Sequence, residues 1–397
     1  MTGVTPRQNQ IEDLSLVTGG PAYRAMVRAR LASDEFPLLG RRVAFFIALT
    51  WLPLLAICAW QGDVLSVRAG ISFLADFIAH VRFLVALPLL ILAEPFIGAR
   101  LADIARQFTE AEILPDEDVP QFAAAAKSIA RLRDSGLAEL ILLGLAYSGG
   151  LINVLSEQGI GFATWRAAQE GASVEFTAAG WWYLLVSMPL FRFLVLRWVY
   201  RFCLWTMFLW KISRLRLQLS AIHPDRAGGL GFLSTAPAAF SPIAFALGCV
   251  LSAAAARRIA HAETGLLSTE IAIGVFIVLA TVIPILPLLA FTPKLVRARW
   301  RGVIRLGRLG ETYAQAFDEK WADRRAETAD ELLGTADIQT LADLGSTFDA
   351  ARRTRLVPVG LGSVLSLAVS AAAPMAPLLL LFYPVKEILK LLLGVLL

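Results

Sequence analysis

The stretch AIHPDRAGGLGFL, residues 221–233, places His223, Asp225 and Arg226 within four residues of one another and follows them with Gly228, Gly229 and Gly231. An imidazole beside a carboxylate can move a proton, a guanidinium matches a phosphate, and glycines let backbone amides approach an anion. An enzyme would also need a positioned nucleophile or a metal. No HExxH, GxSxG or P-loop occurs in the chain, and Cys58, Cys203 and Cys249 stand alone in apolar runs, so no metal site and no cofactor is expected. A structural reading stands beside the chemical one: Pro224 and the glycines shape a tight turn, with Asp225 pairing Arg226 or capping the backbone.

A second set of polar residues lies inside apolar runs. An ionisable group at the centre of a bilayer costs at least about 2.5 to 3.5 kcal/mol, so those present face protein or water. At 1.5 Å of rise per residue, Glu94 falls about 24 Å and Arg192 about 21 Å from the outer ends of their runs, and Glu139 about 4 to 5 Å from the inner end of its own. Arg197 lies beside the same layer. These placements predict one vestibule open to the cytoplasm, lined by Glu94, Glu139, Arg192, Arg197, His223, Asp225 and Arg226 with the three loop glycines. In the alternative, the two glutamates snorkel to the interface and Arg192 meets a structural carboxylate. Asp76 and His80, one helical turn apart, could exchange a proton or form an interfacial structural pair.

The elements that must position these residues are membrane helices. Of 397 residues 57% are hydrophobic and 17% charged, with mean hydropathy +0.64, beyond an ordinary soluble domain. Seven runs approach the roughly 20 apolar residues that span a bilayer: 43–60, 78–98, 136–156, 178–198, 236–256, 269–291 and 357–381, followed by an apolar tail at 385–397. The fold class expected is therefore all-α and polytopic, about seven spans plus a C-terminal apolar helix. The predicted organisation is a tail (1–42), two spans (43–98), amphipathic helices (99–135), four spans (136–293) with the 221–233 loop between the middle two, a helical insert (294–356), and a last span with the apolar helix (357–397).

Basic residues orient this chain. Of 37 Lys and Arg, 28 fall in residues 1–42, 99–135, 199–235 and 294–356, and four in the alternate connections. The positive-inside rule then puts the N-terminus in the cytoplasm, with Arg257 and Arg258 the misfit on an outer turn. Since orientation accounts for the basic excess, no nucleic acid is expected. Pro189, the pair Pro284 and Pro287, and the pair Pro374 and Pro377 predict kinked spans.

Among the inserts, LPDEDVP at 114–120 reads as a helix start. Lys294, Arg297, Arg301, Arg305 and Arg308 are spaced to share one face of a helix leaving the membrane, where they would contact anionic lipid or serve as positive-inside anchors. A further helix after Thr335 carries a seam of Ile338, Leu341, Gly345 and Phe348, for which the helices of 99–135 are the expected partner.

HPDRAGGLGFL, with LLGTADIQTLADLGSTFDAARRTRLVPV, resembles segments of bacterial multi-pass membrane proteins of uncharacterised activity. The resemblance implies a bacterial inner-membrane location and carries no activity. Three functions remain open: a channel or transporter for a small, anionic solute, a membrane-embedded enzyme acting on a lipid phosphate or headgroup, and a non-catalytic scaffold or sensor. Membrane lipids, and a second copy of the chain, are the expected partners.

Overall fold

The computed structural model describes residues 19–31, 38–65, 71–111, 113–157, 164–170, 173–260, 266–321 and 336–378. The capping Thr335, the end of the seventh expected span and the tail at 385–397 lie outside the described residues. The described chain runs α1 (Pro21–Arg28), α2 (Leu39–Gln61), α3 (Phe77–Glu110), α4 (Val119–Arg133), α5 (Gly136–Glu157), the antiparallel hairpin β1 (Ala167–Glu170) and β2 (Ser173–Phe176), α6 (Ala178–Ile212), α7 (Gly231–Ile259), α8 (Ser268–Trp321), α9 (Ala336–Arg352) and α10 (Leu361–Leu378).

The architecture is all-α and polytopic. Six helices, α2, α3, α6, α7, α8 and α10, are long and apolar enough to cross a membrane, and α5 adds a shorter apolar stretch over Gly136–Gly149. The short hairpin is the one sheet among the described residues, and alternation in the sequence was too brief to signal it. Buried aromatic and aliphatic side chains, Phe73, Phe83, Leu87, Trp205, Phe208 and Phe291 among them, form a continuous core. More than half of the apolar window of α3 is buried within the protein, against about a tenth for α8. The centre of the bundle is therefore α3 with α6, while α8 presents most of its apolar surface outward.

Prolines break these helices in an ordered way. A π-helical turn at Val81–Ala86 precedes Pro88, and another at Tyr183–Ser187 precedes Pro189. Proline has no N–H and its ring clashes with the carbonyl four residues back, so that carbonyl needs another donor. For Pro189 the carbonyl is that of Leu185, which accepts from the Tyr147 hydroxyl of α5 at 3.0 Å. For Pro53 it is that of Leu49, which accepts from Trp182 Nε1 of α6 at 3.2 Å, while Ser187 Oγ donates to the neighbouring Thr50 carbonyl at 2.7 Å. Pro284 and Pro287 turn Ile283–Phe291 into a 3-10 helix, and Pro374 does the same at Ala373–Met375.

The segment before α4 forms a 3-10 turn at Asp116–Asp118 that runs into Val119–Arg133, the helix start expected there. The seam on α9 corrects its expected partner. α9 packs along the Thr292–Trp321 part of α8 and not on the 99–135 helices, with Phe348 of the seam against Gly307 and Leu344, outside it, against Gly310, while Ile338 and Gly345 of the seam are exposed. A helical hairpin with adjacent arms closes sooner than one assembled from elements two hundred residues apart.

Candidate functional site

The 221–231 loop is built around its own carboxylate. Asp225 Oδ1 accepts from the amides of Ala227 (2.8 Å) and Gly229 (3.2 Å), and Oδ2 accepts from that of Gly231 (2.7 Å). His223 Nδ1 lies 2.8 Å from Asp225 Oδ1. Burial pushes the Asp225 carboxyl up, but the Ala227, Gly231 and Gly229 amides and His223 more than offset this and hold it below its ordinary value. Two of the amides available to an external anion are thus satisfied by Asp225. Gly228 (φ 69°) and Gly229 (φ 100°) permit the reversal, and Arg226 joins them at φ 54°. The turn is fastened from outside as well: Arg355 N–H donates to the Arg226 carbonyl at 2.7 Å, and the buried Thr354 hydroxyl donates to the Ala221 carbonyl at 2.7 Å.

Glu94 sits elsewhere, 3% exposed, held between Arg42 of α2 and Arg201 of α6. Arg201 Nη1 donates to its Oε1 at 2.8 Å, and Arg42 Nη1 to its Oε2. Arg201 also stacks over Trp198 at 4.9 Å. Two cations on one anion leave a net positive charge, and Arg197, 5% exposed, adds to it with a long 3.4 Å hydrogen bond to the Gly19 carbonyl. Among the described residues Arg42 Nε and Nη2 have no acceptor. A small cavity beside this group is lined by Gly19, Arg133, Glu139, Arg197, Tyr200 and Arg201. Glu139 faces it but is taken by α1: its Oε2 accepts from Ala22 N–H at 2.6 Å, while Asp134 Oδ1 accepts from Gly20 N–H at 2.8 Å. The Arg133 guanidinium beside Asp134 lowers that carboxyl.

Arg192 belongs to a third group. Its guanidinium rests against Gly149 of α5, where an added Cβ would come within 3.0 Å of it, and Arg82 of α3 lies within electrostatic range. Arg82 Nη1 donates to Tyr183 Oη at 2.5 Å and approaches Met188 Sδ at 3.1 Å. Arg82 Nε and Arg192 Nη1 are buried with no acceptor, and neither residue has a carboxylate partner among the described residues.

The structure thus distributes the expected vestibule over three places. Glu94, Glu139 and Arg197 come together, Arg192 lies with Arg82, and His223, Asp225 and Arg226 form a self-contained turn. Among the described residues no hydrogen bond or ion pair joins these three groups through the residues named in sequence. Arg42, Arg82, Arg201 and Tyr183 were missed. The signal available for Arg201 was its spacing from Arg197, four residues along one helix face. Arg42 sits at the start of its run and read as tail.

Asp76 and His80 do not pair. Asp76 Oδ2 accepts from Trp165 Nε1 at 3.1 Å and lies 3.6 Å from Arg166 Nη2, whereas His80 takes Trp51 Nε1 at 3.0 Å and the Phe73 carbonyl at 3.0 Å. Both serve as structural joints between helices and the hairpin. Among the described residues no cluster of His, Cys, Asp and Glu fits a metal. Comparison with family models, with curated proteins and with solved structures finds no match for this chain.

Proposed function

We propose that the protein is a channel or transporter for a small anionic solute, and that Arg82 and Arg192, with Arg197 and Arg201 farther along α6 and Arg42 of α2 beside them, form the cationic interior through which the anion passes. One observation carries this reading: among the described residues Arg42 Nε and Nη2, Arg82 Nε and Arg192 Nη1 are buried within apolar helices with no hydrogen-bond partner, and Arg82 and Arg192 have no carboxylate partner. Unpaired charge and unpaired donors are expensive in such a setting, and an anion satisfies both at once. The π-turns at Val81–Ala86 and Tyr183–Ser187 frame Arg82 and end five residues before Arg192, which supports irregular backbone lining a passage. The resemblance of the 223–233 segment to bacterial multi-pass membrane proteins supports a bacterial inner membrane, and the distribution of Lys and Arg supports a basic face turned to the cytoplasm.

The enzymatic alternative has less support, because Asp225 already occupies amides that an oxyanion would need. The test is flux. Purified protein in liposomes is expected to move at least one of chloride, nitrate, phosphate or bicarbonate, and Arg192→Gln together with Arg82→Gln is expected to slow that movement roughly tenfold, the equivalent of about 1.4 kcal/mol. No movement of any of the four, or unchanged rates in the double variant, overturns the reading.

A further inference from the structure

Beyond the interior, α8 carries a surface with chemistry of its own. From Thr292 to Trp321 the helix continues without interruption past the end of its apolar part. Arg297, Arg301, Arg305 and Arg308 are exposed on it. Its partner α9 brings Asp337, Asp343 and Asp349 alongside, yet none of these acids goes to that stripe. Asp337 takes Lys320 (2.6 Å), Asp343 takes Gln339 (3.1 Å), and Asp349 lies 3.9 Å from Arg353. Among the described residues Arg297, Arg301, Arg305 and Arg308 have no ion pair.

Between these guanidinium groups lie apolar side chains. Arg301, Arg305 and Arg308 share one open face of the helix with Ile304, Leu309 and Thr312. Trp300 is 67% exposed one residue before it. A soluble polyanion would be matched by charge alone and would leave Trp300, Ile304 and Leu309 in water. A lipid headgroup presents a phosphodiester to the arginines and its glycerol and upper acyl carbons to the apolar residues, and an indole is favoured at that depth. The same helix carries an apolar part long enough to cross a membrane, with a 3-10 stretch at Ile283–Phe291 just before this basic part begins.

We infer that the face of α8 formed by Arg301, Arg305 and Arg308 with Trp300, Ile304 and Leu309 is a binding site for an anionic phospholipid. The occupant is recognised by its phosphodiester charge and held in register by the apolar side chains between the arginines. This site does not depend on the anion pathway, since none of its residues belongs to it.

The full chain is purified in detergent, exchanged into equimolar phosphatidylglycerol and phosphatidylcholine, and the lipid retained per chain is counted by native mass spectrometry. The parent is expected to retain phosphatidylglycerol in preference to phosphatidylcholine. The triple variant Arg301→Gln, Arg305→Gln, Arg308→Gln is expected to lower that preference by about 100-fold, three cations each acting near the headgroup plane. A control with Arg100→Gln, Arg131→Gln and Arg216→Gln, exposed arginines elsewhere, removes the same charge and is expected to keep the preference. Equal retention of the two lipids overturns the site. So does an unchanged triple variant, an equal loss in the control, or displacement of phosphatidylglycerol by inorganic phosphate at the same concentration, which would mark a soluble ligand.

Discussion

At the scale of single residues, two carboxylates have opposite kinds of work. Asp225 organises a turn, and its stability contribution depends on ionisation. Its folded acidity is stronger than in the unfolded chain, so the contribution is present above the ordinary value of 3.8 and is lost as pH falls through the lower, folded value. Hydrogen exchange of residues 221–231 is therefore expected to be slow and pH-corrected rates constant from pH 7 to 5, and to rise below about pH 4; Asp225→Ala should show the fast regime already at pH 7, at a cost of about 2 kcal/mol. Glu94 instead neutralises. Glu94→Gln removes the carboxylate that buried Arg42 and Arg201 share, and the loss expected in detergent unfolding is about 3 to 5 kcal/mol. A loss under 1 kcal/mol would mean that an exogenous anion already shares the load. The sequence made Asp225 legible as a turn former because turn chemistry is local. It left Glu94 ambiguous, since its partners come from α2 and α6, 52 and 107 positions away.

Elements show the same division between local and distant causes. Proline positions announce where helices must break, and the π-turns at Val81–Ala86 and Tyr183–Ser187 are the local answer. Which side chain takes the carbonyl is a property of neighbours. Tyr147 and Trp182 could not be assigned that task without knowing that α5 lies beside α6 and α6 beside α2. Tyr147→Phe keeps the ring and removes only the donor. It is expected to cost about 1 kcal/mol in equilibrium unfolding, and to cost nothing in a Pro189→Ala background, where the helix supplies its own N–H. The start of α6 has a sharper requirement. At Gly180 an added Cβ would come 2.0 Å from the Arg166 carbonyl, the residue that follows buried Trp165. Gly180→Ala is expected to detach the hairpin from the helix start, read as loss of Trp165 burial in fluorescence quenching; normal quenching in the variant would show that the hairpin docks by other contacts.

For the whole molecule, the strongest regularity in the sequence is the sorting of Lys and Arg into alternate connections, and the structure supplies a physical counterpart to it. The basic segments touch one another: Gly20 reaches Asp134, Arg216 N–H donates to Asp118 at 2.7 Å, Gln218 N–H to the Ile113 carbonyl at 2.8 Å, and Gly302 packs on Ala221. On the other face Trp165 N–H donates to the Ile71 carbonyl at 3.1 Å, joining the connection after α2 to the one before α6. Connections that the charge rule assigns to one side thus meet on one side, a stronger constraint than charge alone because a single span threaded the wrong way would separate partners that are in contact. The charge rule adds the direction, since cationic connections stay on the side of synthesis. In a background lacking Cys58, Cys203 and Cys249, Glu175→Cys at an exposed position of β2 and Thr347→Cys at a half-buried position of α9 are expected to react with a membrane-impermeant maleimide from opposite sides of intact cells, Glu175→Cys directly and Thr347→Cys only after permeabilisation. Labelling of Thr347→Cys in intact cells would invert the orientation, placing the α8 arginines on the outer leaflet while leaving every contact within the bundle as it stands.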